Sequence, residues 1–108
     1  MDSLMQLKNE ISTFVKERDW DQFHSPANIA KSISIESGEL LECFQWDETH
    51  FDKEAVEEEL ADVLNYCIQM GIALDIDLKD IIEKKMAKNA LKYPVNKCKG
   101  KATKYDKL

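Results

Sequence analysis

Two pairs of carboxylates, each spaced by three residues, stand in Glu36-Ser37-Gly38-Glu39 and in Glu59-Leu60-Ala61-Asp62. On a helix, residues three apart share a face, so each stretch projects two acids in one direction. Ile33, Leu40 and Phe44 flank the first pair, which sets it at or beside a buried stripe. Four acids gathered there without partners would repel one another and lose hydration. A hard divalent cation resolves both problems, and an oxygen-only ligand set selects magnesium, manganese or calcium over zinc. Spacing leaves Glu58 and Glu59 as equal partners for Asp62, because residues four apart also share a face. The competing reading is a solvated acidic face, which suits the run Glu54, Glu57, Glu58 and Glu59 at a helix start. Two such pairs on consecutive helices, each beside an apolar stripe, favour the cation.

Groups suited to a phosphorylated substrate stand elsewhere in the chain. Lys85, Asn89 and Lys92 recur at i, i+4 and i+7, forming one cationic and amide-bearing helical stripe whose plainer role is solvation. Trp20, Phe23, Trp46 and Tyr66 could stack on a nucleobase and His24 could hydrogen-bond one, although aromatics in a small domain commonly serve the core. Tyr66 follows Asp62 by four residues and so falls on the acidic side of its helix. Other chemistries fit less well. Neither His24 nor His50 stands three residues after a glutamate, as di-iron bundles require. Asp75-Ile76-Asp77 starts like a calcium loop but lacks the later glycine and glutamate. There is no glycine-rich phosphate loop.

These groups must be positioned by helices. The 108 residues include 44% hydrophobic and 33% charged side chains, with 3 glycines and 2 prolines, a balance that predicts one globular all-α domain. A first helix is expected from about Ser3 to Arg18, with Leu4, Leu7, Ile11, Phe14 and Val15 on its apolar side and Ser3 and Gln6 as a capping box. Asp19–Ser25 is an aromatic connector. Ser25 and Pro26 open a second helix that runs to about Phe44–Trp46. Gly38 lies inside that helix, where close packing would explain it. A third helix is expected from about Lys53 to Leu74, and a fourth from Leu78 to about Tyr93, capped by Asp77 and stopped by Pro94. Short connections favour antiparallel neighbours, giving a four-helix bundle-like protomer.

Charge is divided unevenly. Residues 1–83 carry 6 basic and 20 acidic side chains, whereas residues 84–108 carry 9 basic and 1 acidic. The domain is therefore expected over residues 1–95, followed by a lysine-rich, mobile tail over 96–108. The acidic body disfavours a nucleic-acid partner. The longest uncharged stretch, Val63–Leu74, is 12 residues, too short for a membrane span of about 20. Three cysteines, Cys43, Cys67 and Cys98, without a C-x-x-C pair predict neither a disulfide framework nor a thiolate zinc site, and point to the cytoplasm. So small a domain is also expected to self-associate.

Several ordered segments together carry a family resemblance. They are Arg18-Asp19-Trp20-Asp21-Gln22-Phe23-His24, Glu36-Ser37-Gly38-Glu39-Leu40, Phe44-Gln45-Trp46, Glu59-Leu60-Ala61-Asp62-Val63-Leu64-Asn65-Tyr66, and the run from Lys85 through Asn89, Lys92 and Tyr93 to Pro94. Over about Arg18 to Val95 the chain resembles the MazG-like all-α nucleotide pyrophosphohydrolases, particularly the small dCTP pyrophosphatase subgroup. The resemblance implies hydrolysis of a (deoxy)nucleoside triphosphate to monophosphate and pyrophosphate with Mg2+, for which Mn2+ could substitute. It implies Glu36, Glu39, Glu59 and Asp62 as metal ligands, which selects Glu59 over Glu58. In the mechanism expected from this arrangement one of these carboxylates, with Glu36 the choice, takes a proton from water. The resemblance implies Trp20, His24, Trp46 and Tyr66 around the base, and Lys31, Lys85, Asn89, Lys92 and Tyr93 toward the phosphates. It further implies a homodimer or homotetramer whose pockets can borrow residues from a neighbour. The alternatives are a non-catalytic helical interaction module using the acidic face and a phosphoribosyl-ATP pyrophosphohydrolase-like enzyme.

Overall fold

The structure, a computed structural model, describes residues 2–108. It contains α1 (Ser3–Glu17), α2 (Pro26–Glu42), α3 (Lys53–Ala73), α4 (Leu78–Lys92) and a short α5 (Val95–Cys98), with single 3-10 turns at Asp21–Phe23 and Tyr105–Lys107. No strand occurs among the described residues, as the all-α expectation requires. The chain forms two compact units that divide between Ile76 and Asp77.

Local chemistry explains where the helices begin and end. Asp2 caps α1 by accepting from Met5 N at 2.8 Å, so an acid one residue earlier takes the place of the Ser3–Gln6 capping box. Ser25 caps α2 as expected, accepting from Asn28 N at 3.2 Å, with Pro26 at the first helical position. Asp52 and Asp77 cap α3 and α4 in the same way. α2 stops at Glu42, leaving Phe44, Gln45 and Trp46 outside the helix. α1 and α3 share one exit: Asp19 and Asp75 have φ of 55° and 52°, the left-handed region that aspartate tolerates better than most residues. Trp20 N then bonds Val15 O at 3.1 Å, and Ile76 N bonds Gly71 O at 2.8 Å, the six-to-one closure of a Schellman turn. The first closure folds Trp20 back against Phe14, their ring centroids 5.9 Å apart, while the Arg18 guanidinium lies 3.6 Å from the Phe14 ring centre.

In the first unit α3 packs against both α1 and α2. Each helix contributes one buried apolar anchor: Val15 from α1, Ile29 from α2, only 1% exposed, and Ile68 from α3. This is a thin core. Leu60 and Leu64 of α3 are exposed, as are Leu7 and Phe14, expected on the apolar side of α1. The loop between α2 and α3 is closed by Phe44 against Phe51, at 4.7 Å, and by the Asp47 carboxylate. Asp47 accepts from Thr49 N and His50 N at 2.9 and 3.0 Å. These bonds hold it below the usual carboxylate range, with the Thr49 backbone bond the largest cause.

The second unit comprises α4 and the residues after it. The segment beyond Val95, expected to be a mobile tail, carries most of α5 and the second 3-10 turn. There Tyr105 sits edge-on to Tyr93, with centroids 6.2 Å apart, and under Lys92 Nζ at 4.8 Å.

Candidate metal and nucleotide site

Glu36 projects from α2, and Glu59 and Asp62 project from α3. One carboxylate oxygen from each lies within 4.8 Å of the other two. The antiparallel register of α2 and α3 produces this meeting. Ile29 lines a cavity together with Gln69, Ile72 and Ala73, so advancing seven residues along α2 and retreating along α3 brings Glu36 level with Glu59 and Asp62. The same register sets Glu59, rather than Glu58, among the clustered oxygens. Glu39, one turn beyond Glu36, is within hydrogen-bonding reach of both Glu36 and Glu59.

Electrostatically the cluster is unrelieved. Glu36 is pushed up from 4.5 to about 7, first by its hydrogen bond with Glu39, then by burial and by the charges of Glu39, Asp62 and Glu59. A hydrogen bond between two carboxyl groups requires one of them to keep its proton, and Glu36 is the better holder. Glu59 is raised as well, chiefly by burial and then by the Glu39 hydrogen bond. One oxygen of each, Oε2, is buried with no hydrogen-bond partner. Neither Lys nor Arg makes an ion pair with any of the four acids among the described residues. Orphaned oxygens converging from two helices, with no cation from the protein, suit a hard divalent ion.

The residues expected around a base do not form one pocket within a single chain. Trp20 and His24 precede α2, and Trp46 follows it. The 17 residues of that helix put about 25 Å between its ends. Trp46 is 89% exposed. Tyr66 is half-buried on α3, between the acids and Gln69. His24 is half-buried and lines the cavity that holds Gln69. Lys31 is exposed on α2. Lys85, Asn89 and Lys92 are exposed along α4 in the second unit, with Tyr93 as its C-cap, and Lys92 is engaged by Tyr105.

Sequence reasoning overlooked Gln69 and the Asn65 that holds it. The available signal was a glutamine seven residues after Asp62, inside the apolar run of α3, with an amide four residues before it. A helical heptad puts that glutamine on the same face as Asp62.

Comparisons with known proteins agree with this architecture. The MazG-like family matches residues 31–108. dCTP pyrophosphatase 1 of Mus musculus is 35% identical over 98% of the chain and 68% of its own length. The Homo sapiens protein of the same name is 32% identical over the same shares. A pyrophosphatase from Archaeoglobus fulgidus DSM 4304, known from its crystal structure, superposes with a TM-score of 0.76 at 38% identity, over 87% of this chain and 94% of its own. Family match, relatives and fold converge: the chain belongs to the MazG-like family, in its dCTP pyrophosphatase-like subgroup.

Proposed function

We propose that the chain is a magnesium-dependent nucleoside triphosphate pyrophosphohydrolase, favouring a dCTP-like substrate and releasing monophosphate and pyrophosphate. The observation that carries this reading is the convergence of Glu36, Glu59 and Asp62 oxygens within 4.8 Å, with two of their partner oxygens buried and unpaired. The similarity to dCTP pyrophosphatase 1 supports the substrate class.

Glu36, Glu59 and Asp62 would hold the cation, with Glu39 beside them. When bound, a divalent ion supplies charge neutralisation for the triphosphate and acidifies water. The chain's own contribution is proton handling. Glu36 is the candidate general base, through a carboxylate oxygen that the cation does not take. Lys31, and Lys85, Asn89, Lys92 and Tyr93 on and beside α4, are the candidate phosphate ligands.

The active form is a homo-oligomer. Leu41, 71% exposed, lines a shallow groove with Gly38 and Phe44, and Trp46, two residues after Phe44, is also exposed. A Cβ built on Gly38 meets no atom within 4 Å, so close packing within the chain does not explain this glycine. A second copy covering the groove would bury these apolar groups and supply the aromatic residues that one chain keeps apart. No helix among the described residues is long and apolar enough to cross a membrane. The free cysteines Cys43, Cys67 and Cys98 suit a reducing, cytoplasmic compartment, where the proposed hydrolysis would clear unwanted nucleotides.

The test is pyrophosphate release from a panel of nucleoside triphosphates and phosphoribosyl-ATP, with and without Mg2+ or Mn2+. Asp62→Asn and Glu39→Gln should abolish turnover while helical circular dichroism is retained. A magnesium-dependent activity that survives either change refutes the assignment of the acids.

A further inference from the structure

The residues after Pro94 fold back onto the end of α4. α5 turns the chain, and Cys98 Sγ donates to Tyr93 O at 3.2 Å. Gly100 then takes a φ of 77°, a left-handed conformation that glycine adopts without steric cost, and Lys101 N bonds Cys98 O at 2.9 Å. The second 3-10 turn follows, closed by Lys107 N on Lys104 O at 2.9 Å, and it carries Tyr105. The Tyr105 ring meets that of Tyr93 at an interplanar angle of 80°, and Lys92 Nζ lies 4.8 Å from its centre. Burial does not explain this placement, because Tyr105 is 51% exposed. Its ring contacts are with Lys92 and Tyr93.

The lysines of α4 are held in two different ways. Lys79 and Lys84 reach Glu83 and Asp80 at 2.6 and 2.9 Å, so carboxylates offset their charge. Lys92 makes no ion pair among the described residues, and Asp106 is the sole acid after Glu83. A ring face attracts an ammonium without neutralising it. Lys92 stays exposed, so the N–H groups turned away from the ring remain available to an anion. A long side chain that is already restrained also loses less conformational freedom when it closes on that anion. The returning segment adds Lys97, Lys99, Lys101 and Lys104, none of them in an ion pair among the described residues, so it reinforces the positive field around Lys92.

We propose that Tyr105 is a positioning residue for the polyphosphate arm of the substrate. Its ring, held edge-on by Tyr93, keeps the Lys92 ammonium charged and oriented for a phosphate oxygen. The segment that returns from Val95 to Leu108 is thereby part of the working site and not a mobile tail. The assignment rests on the reading of Lys92 as a phosphate ligand and adds the group that orients it.

The experiment measures kcat and KM for dCTP with Mg2+ in the full chain, as wild type, Tyr105→Leu, Tyr105→Phe, Lys92→Met and the double variant Tyr105→Leu/Lys92→Met. In parallel, calorimetry reads the binding of inorganic tripolyphosphate to the same preparations, which requires no turnover. Tyr105→Leu should raise KM and weaken tripolyphosphate binding about two- to fivefold, the range of an exposed cation–π contact, with kcat changed less. Tyr105→Phe keeps the ring face and should match the wild type. In the Lys92→Met background Tyr105→Leu should add nothing, because its effect passes through the ammonium. An unchanged KM in Tyr105→Leu overturns the proposal. So does a loss that Tyr105→Phe reproduces in full, or one that multiplies with Lys92→Met. Wild-type KM and tripolyphosphate affinity in Lys92→Met refute Lys92 as a phosphate ligand, and the proposal with it. A wild type that hydrolyses no triphosphate, while tripolyphosphate binding follows the expected pattern, refutes the hydrolase reading alone.

Discussion

Loading the acidic cluster with Mg2+ should expel a proton, and the amount follows from the position of Glu36. With that carboxyl raised to about 7, it is roughly three-quarters protonated at about pH 6.5 and about 3% protonated at about pH 8.5. A cation that takes its oxygens must displace the proton. Calorimetric titration of Mg2+ at pH 6.5, repeated in buffers of different ionisation enthalpy, should therefore report about 0.75 proton released per site from Glu36. Near pH 8.5 the release should approach zero, and Glu36→Gln should remove most of it at the lower pH. The same group sets the stability of the metal-free protein. Its proton affinity is higher folded than unfolded, so its stabilising contribution is complete below about pH 4.5 and is lost as pH rises through about 7. Thermal melts of the chelated protein should accordingly fall across that window, and Mg2+ should restore them most at the alkaline end. Proton release that is independent of pH, or that survives Glu36→Gln, would refute the electrostatic account of the cluster.

Four further changes probe the scaffold and the contact between copies. Ile29→Ala removes a 1%-exposed anchor of a thin core and should cost about 2–5 kcal/mol, measured by urea denaturation. Ser25→Ala deletes the α2 cap bond and should cost about 1 kcal/mol, with the melting temperature lowered and pyrophosphate release retained at temperatures where the variant is folded. Gly38→Ala meets open space within the chain and should stabilise α2 by about 1 kcal/mol, whereas Trp46→Asp should shift sedimentation toward monomer without loss of helix. If Trp46→Asp stays fully oligomeric, the copies meet elsewhere.

Sequence alone determined the helices and most of their boundaries, because caps, proline and apolar periodicity act over a few residues. Ser25, Pro26 and Asp77 specify their helix starts locally, and the structure uses them so. The acidic pairs were legible for the same reason, since a three-residue spacing fixes a shared face. What depends on partners distant in the chain was not. Asp2 displaced the expected α1 cap by one residue, a choice between neighbouring oxygens that spacing does not resolve. α2 ended before Trp46, so its length, not composition, separated the aromatics at its two ends. The meeting of Glu36 with Glu59 and Asp62 required the antiparallel register of two helices joined by a ten-residue loop. Only packing shows which exposed-looking residue is buried. Gln69 reads as a polar interruption in an apolar run; the fold closes α1, α2 and the Schellman exit of α3 around it and leaves its oxygen without a donor. Charge tells the same story: composition marks the chain as acidic, but tertiary structure decides which acids share one small volume and must be relieved by a proton or a cation.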